Sequence, residues 1–228
     1  FTQGYGRIYE DVYGFKARLA VLENENGFII QPFVEKPLRD LTFMKRKDEA
    51  YCDISNPYGY GGPLANCESI KSDFAVFYNA FHDWCVENDI PAEFCSLHPL
   101  ISDWQRPMVE PVQPVTFQKN IYSLPLTPDF LTGFSQGHRR NYKIAIKNNV
   151  RVEKMPMTQD VLSRFQELYL HTMQRQGATE RWMFPDTYFP ACHKYLGDGG
   201  STLFFGWVGD ELASACFLIH GFDTAYYH

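Results

Sequence analysis

The chain has 228 residues, 45% of them hydrophobic and 21% charged, with a net charge of −6. That balance suits an ordered globular protein of one large domain or two small ones, and it excludes a surface that attracts polyanions as a whole. No run approaches the roughly 18 apolar residues of a membrane span, and no charged-then-apolar leader opens the chain, so a cytoplasmic protein without a membrane span is expected.

The chain opens at Phe1 and stops at His228 inside a predicted strand, so both ends are expected to continue in a longer protein. Aromatic residues reach 16%, with 19 Phe and 14 Tyr, which predicts a core rich in rings and some rings left for clefts. Cys52, Cys67, Cys85, Cys95, Cys192 and Cys216 show no close pairing and sit in apolar company. Buried reduced thiols are expected.

In chain order, "ARLAVLENENGFIIQPFVEKPL" (17–38) predicts two strands around an Asn26-Gly27 turn, since Asn-Gly supplies the positive φ angles of a tight hairpin. Residues 50–55 predict another strand. Ile70, Phe74, Phe77, Tyr78, Phe81, Trp84 and Cys85 recur at helical spacing, and "AEFCSLHPL" follows as a short strand. Residues 103–116 carry Pro107, Pro111 and Pro114 without periodicity, which predicts a connector. "VTFQKNIYSLPL" alternates as a strand.

Thr127, Pro128 and Asp129 offer a capping hydroxyl, a proline at the first position and an early acid, so a helix is expected from there towards Asn149. "VRVEKMP" predicts a strand. Val161, Leu162, Phe165, Leu168, Tyr169, Thr172 and Met173 mark an amphipathic helix. Pro185 opens another helix, which Pro190 is expected to distort. "STLFFGWVGDELASACFLIH" predicts a hairpin turning at Gly209-Asp210, and "TAYYH" begins a further strand. This mixing of hairpins, strands and helices predicts an α+β fold in two units, 1–116 and 117–228, with mainly antiparallel sheets flanked by helices.

Two stretches carry candidate chemistry. In "DISNPYGYGGPL" (53–64), Gly59, Gly61 and Gly62 allow unusual backbone angles and a close approach to a ligand, while Tyr58 and Tyr60 offer rings and hydroxyls. The residues alone leave two readings open: a structural aromatic turn, or the rim of a site. In the second reading Tyr60 faces the acceptor and Tyr58 anchors the loop in the core. In "HRRNYKIAIKNNVR", Arg139, Arg140, Lys143, Lys147 and Arg151 place five cations in 13 residues with no acid among them. On a helix, Arg139, Arg140, Lys143 and Lys147 fall three or four apart on one stripe, which suits phosphate, through Arg forks and Lys point charges, or forms a solvated face. His98, at a predicted strand end, is a third candidate. No histidine shows metal-ligand spacing with Cys or acids, so no metal is expected.

Taken in order, "DISNPYGYGGPL", "SLHPL", "HRRNYKIAIKNNVRV", "FQELYLHTMQRQGA" and "FPDTYF" resemble the FemAB-like branch of the GNAT acyltransferase superfamily over nearly the whole chain. The resemblance implies two tandem GNAT-like units and transfer of an acyl group to an amine of a sugar or cell-envelope precursor. Some members use acyl-CoA, and Fem transferases use aminoacyl-tRNA to extend peptidoglycan precursors. The CoA phosphate turn of GNAT enzymes is absent from residues 1–228, and so is the long coiled-coil insertion of some Fem transferases. The missing insertion and the negative net charge rank acyl-CoA ahead of tRNA as donor, while the CoA phosphate turn would follow the strand that begins at Thr224, where the chain ends.

Asp53, Tyr60 and His98 are the implied catalytic candidates. Tyr58, Gly61 and Gly62 would line the acceptor site, and Arg139, Arg140 and Lys143 would hold phosphates. A non-catalytic module that binds a glycan or a protein is the alternative from another class.

Overall fold

The computed structural model describes residues 2–40, 51–66, 69–221 and 223–228, with the side chains of 40, 69 and 181 outside that description. Cys67 and residue 50, the start of the strand expected at 50–55, lie outside the described residues. The chain divides into two compact units, Phe1–Lys119 and Asn120–His228. Each is α+β, with a mainly antiparallel sheet and helices packed on it.

Unit 1 opens with a helix that the sequence reading did not anticipate, α1 (Gln3–Tyr13). Thr2 caps it by accepting the Tyr5 N–H, and the helix buries Ile8 and Tyr9. Strands β1 (Lys16–Asn24) and β2 (Gly27–Pro37) form the expected hairpin. The register pairs Asn24 with Gly27, however, so the turn residues are Glu25 and Asn26. The Asn24 side chain closes that turn by accepting the Asn26 N–H at 2.9 Å, a local bond that moves the turn one residue back.

Strand β3 (Cys52–Ser55) runs antiparallel to β2, as does β4 (Leu64–Ala65), and β5 (Glu93–Phe94) runs parallel to β3. The short strand expected at 92–100 thus pairs for only two residues. Helix α2 (Phe74–Glu87), entered through a 3-10 turn carrying Ile70, covers one sheet face. Phe33, Ile54, Phe81, Cys85 and Ile90 form one cluster, and Ile29, Ile70, Phe74, Phe77, Met108 and Val109 form another. Fully burying a side chain of this size stabilises the fold by about 1.5–3 kcal/mol.

The expected connector at 103–116 proves to hold helix α3 (Ser102–Val109). Trp104, Gln105, Met108 and Val109 lie at i, i+1, i+4 and i+5, and the last three are buried. Pro107 removes one backbone donor near the helix end, where little helix remains to lose. The prolines had masked this face.

The strand expected at 115–126, which spans the division between the units, does not form. A strand needs a sheet edge, and no described strand pairs with this segment. It stays exposed, with Phe117 79%, Tyr122 93% and Leu126 84% accessible. The helix expected from Pro128 also starts later. Thr127 spends its hydroxyl on Asp129 (2.8 Å), and a 3-10 turn at Phe130–Gly133 intervenes. Helix α4 (Gln136–Lys147) begins instead at Ser135, whose Oγ accepts the His138 N–H at 3.3 Å.

Strand β6 (Arg151–Met155), helices α5 (Gln159–Arg175) and α6 (Tyr188–Leu196), strands β7 (Ser201–Val208), β8 (Glu211–Gly221) and β9 (Thr224–Tyr227) complete unit 2. The sheet order is β6-β7-β8-β9, antiparallel throughout. Pro190 does not distort α6. It is the third residue of that helix, where an N–H would have no helical acceptor. Phe165, Phe189, Leu203, Phe205 and Phe217 are buried together, with the Phe165 and Phe189 rings edge to face at 4.7 Å.

All five described cysteines are free. Burial pushes the thiols of Cys85 up to about 11 and those of Cys95 and Cys192 up to about 12. These three are packing residues at neutral pH, since the thiolate is the reactive form.

Candidate functional site

The loop at 56–63 leaves the carboxyl end of β3, beside its parallel neighbour β5. Ile54 pairs with Glu93 and Ser55 with Phe94. The pairing then breaks and resumes at Gly61 opposite Leu97. Between these points residues 56–60 leave the pairing. The Asn56 side chain takes the strand's place, with Oδ1 accepting the Ser96 N–H at 2.8 Å. The Gly61 N–H donates to the Ser96 carbonyl at 2.7 Å. Carboxyl ends of parallel strands, where the chain leaves the sheet, are common ligand sites.

Side chains from elsewhere in unit 1 reach into this loop. Tyr9 of α1 accepts the Tyr58 N–H at 2.8 Å, and the Tyr5 hydroxyl donates to the Tyr58 carbonyl at 2.7 Å. From α3, the amide nitrogen of Gln105 donates to the carbonyls of Gly61 (2.9 Å) and Pro63 (3.0 Å). Its oxygen accepts the His98 N–H at 2.8 Å. Sequence reasoning missed Tyr5, Tyr9, Asn56 and Gln105. Their bonds are long-range, and only the tyrosine spacing on α1 hinted at an ordered helix face.

The sequence candidates fall into place unevenly. Tyr60 and His98 come together, rings edge to face with centroids 5.7 Å apart and planes at 66°. His98 Nδ1 accepts the Leu100 N–H at 3.3 Å, and burial pushes its imidazole below the ordinary value of 6.5. A neutral ring with Nδ1 so engaged carries its proton on Nε2 and is a donor.

Asp53 stands on β3 opposite Lys36 of β2. Its Oδ1 is buried without a hydrogen-bond partner, an uncompensated desolvation cost. Tyr58 is corrected: its backbone anchors the loop, but its side chain is 38% exposed and does not anchor a core.

Gly61 and Gly62 are also reinterpreted. A Cβ on Gly61 would overlap the Asn56 side chain. One on Gly62 would lie 2.8 Å from both Gln105 Nε2 and Leu97 Cδ2, at a φ of +92°. Packing within unit 1 therefore accounts for glycine at both positions.

In unit 2, Arg139, Arg140 and Lys143 lie together on α4. With Gln136 and Gly137 they line an open hollow of about 640 Å³. None of the α4 side chains is buried. Arg151 sits on β6, where a strand was expected, bonded to Glu153 at 3.1 Å and to the Gly209 carbonyl at 3.3 Å.

Among the described residues no helix is long and apolar enough to cross a membrane. No described group of three or more His, Cys, Asp or Glu side chains could hold a metal ion.

The fold has a counterpart among solved structures. The chain is similar to the crystal structure of FemX, with a TM-score of 0.55 and 15% sequence identity over 90% of this chain and 51% of FemX. It therefore spans about half the length of FemX. At that identity the likeness concerns the fold. No family of known proteins matches the sequence, and no curated protein does.

Proposed function

We propose that this chain is part of an amide-forming transferase of the FemAB-like type, which moves an acyl group from an activated donor to the amine of a sugar or cell-envelope precursor. A single observation carries this reading. The ordered motifs that resemble that branch lie on a fold similar to FemX across 90% of the chain.

The chemistry needs three things. The amine nitrogen must lose a proton as it bonds to the acyl carbon. The carbonyl oxygen must be stabilised as it becomes an oxyanion. The bond to the thiol or ester oxygen of the donor must break as that atom leaves with a proton. Asp53 fits the base, since its buried Oδ1 has no other partner. His98, with Nδ1 engaged, fits a donor or orienting group better than a base. Tyr60 would offer its hydroxyl to the acceptor beside it. Arg139, Arg140 and Lys143 would hold the phosphates of donor or acceptor.

Acyl-CoA is the first donor reading. The second is aminoacyl-tRNA, the donor of Fem transferases, and the likeness to FemX favours it. The test is a donor screen in which acetyl-CoA and alanyl-tRNA are each offered with an amino-sugar acceptor, and products are weighed by mass spectrometry. An amide product from either donor is expected, and Tyr60→Phe should reduce turnover with the melting temperature nearly unchanged. No product from any donor, with binding of the acceptor retained, would favour the non-catalytic module.

A further inference from the structure

One side chain bonds to both halves of the candidate site. Gln105 is fully buried, and all three of its hydrogen bonds go to backbone atoms of Gly61 and Pro63, just after Tyr60, or of His98. The amide is the one side-chain head that presents an acceptor and two donors in a plane. Here the acceptor faces the His98 N–H, and the donor nitrogen faces the carbonyls of Gly61 and Pro63. The helix under it does not yield, because Met108 and Val109 of the same turn are buried in the sheet-facing core. Gly62 lies against the amide so closely that an added Cβ would stand 2.8 Å from Nε2. Neither segment can shift without breaking a bond to Gln105.

We propose that Gln105 is a positioning residue, which locks the Gly61–Pro63 backbone to the His98 backbone and so holds Tyr60 edge to face on His98. Calling that pair a reactive site rests on the transferase reading; the coupling of the two rings does not. Glutamate of the same shape, when ionised, has no donor for the two carbonyls. Methionine fills the volume and offers no partner to any of the three groups. Either change uncouples the loop from the histidine while leaving the helix in place.

The experiment compares the full 228-residue chain with Gln105→Met, Gln105→Glu and, as a control on the same helix, Met108→Ala. Magnetic resonance reads the ring-to-ring Overhauser effect between Tyr60 and His98 and the imidazole nitrogen shifts of His98. Both Gln105 variants should lose the Overhauser effect and shift the His98 nitrogens, while the Phe165–Phe189 contact of unit 2 persists. Met108→Ala should lower the melting temperature and keep the Tyr60–His98 contact. An unchanged contact in a folded Gln105 variant would overturn the proposal, and so would equal loss in Met108→Ala. If Gln105→Met does not fold, Gln105→Glu decides above the pH at which its carboxyl ionises, since a protonated carboxyl would still donate one bond.

Amide formation from acetyl-CoA and alanyl-tRNA separates the two claims. Loss of contact in the variants, with no product from the parent chain, rejects the transferase and keeps the coupling. Where the parent does form product, a fall in kcat at constant KM supports both claims. Full turnover after loss of the contact overturns the positioning role.

Discussion

The loop at 56–63 and helix α4 both stand out in the sequence by composition, yet unit 1 and unit 2 hold them in opposite ways. The loop is braced from α1 at Tyr58 and from α3 at Gly61 and Pro63, and three of its residues, Gly61, Gly62 and Pro63, are buried in a row. Helix α4 buries nothing. A braced loop can hold catalytic groups in fixed geometry, because backbone bonds to buried side chains leave few alternatives. An uncovered basic helix can only offer charge, and charge works at longer range and tolerates misplacement. The contrast separates a site that would position from a surface that would attract.

The sharpest way to break this contrast is at Gly62. Gly62→Ala places a methyl against Gln105 and Leu97 at a left-handed φ, and it should cost about 2–5 kcal/mol from strain and overpacking combined. Gly59 has a φ of +103° but nothing within 4 Å of an added Cβ. Gly59→Ala should therefore cost only the backbone part, about 1–3 kcal/mol. Denaturant unfolding of both variants measures the difference, and equal losses would mean that the brace at Gly62 is slack.

Next is Tyr58. Its ring is 38% exposed, so Tyr58→Ala should cost less than about 2 kcal/mol, well short of a buried aromatic truncation at about 3–5 kcal/mol. Tyr9→Phe removes the acceptor of the Tyr58 N–H and should cost about 1–3 kcal/mol. If the ring truncation proved the costlier of the two, the loop would be held by its ring after all.

A pH slope sharpens the picture on the other face of the unit 1 sheet. Burial pushes the Glu93 carboxyl above its ordinary 4.5, partly offset by the bond it accepts from Gln31 at 2.7 Å. The folded state then binds this proton more tightly than the unfolded chain. The contribution of Glu93 is fully present below about pH 4.5 and falls as pH rises from there through the raised folded value. Glu93→Gln should flatten that part of the stability profile, which calorimetry across pH 4 to 8 would show.

The smallest effect on stability is expected at α4. Arg140→Ala with Lys143→Ala should leave the unfolding transition where it is, because solvated charges add little to folding. The same pair should weaken binding of a phosphorylated ligand about tenfold or more, the worth of a lost charge-assisted hydrogen bond. Calorimetric titration with acetyl-CoA or alanyl-tRNA reads this, and unchanged affinity would make the stripe a solvated face.

Local pattern was a good guide wherever the interaction lies within one element. The β1–β2 and β7–β8 hairpins, α2, α5 and β6 follow from spacing and turn residues. The amphipathic face of α5 carries Leu162 and Phe165 into the core as spacing predicts. Proline misled twice, hiding α3 and falsely threatening α6, because its effect depends on which helical position it takes. The strand expected at 115–126 failed for a different reason: alternation is a property of the segment, whereas pairing requires an edge to join.

The candidate site divides along the same line. Sequence alone determined that Tyr58, Tyr60 and three glycines share one loop, that His98 precedes a proline, and that Arg139, Arg140 and Lys143 share a helix face, because these are relations of spacing. Tertiary structure decided that Tyr60 meets His98 and that the Tyr58 ring turns outwards. It also decided that a buried glutamine on an unforeseen helix joins the two segments of the site. Those outcomes depend on contacts across 7 to 53 positions of chain, and long-range contacts are chosen by which buried polar groups must find partners once the core has closed.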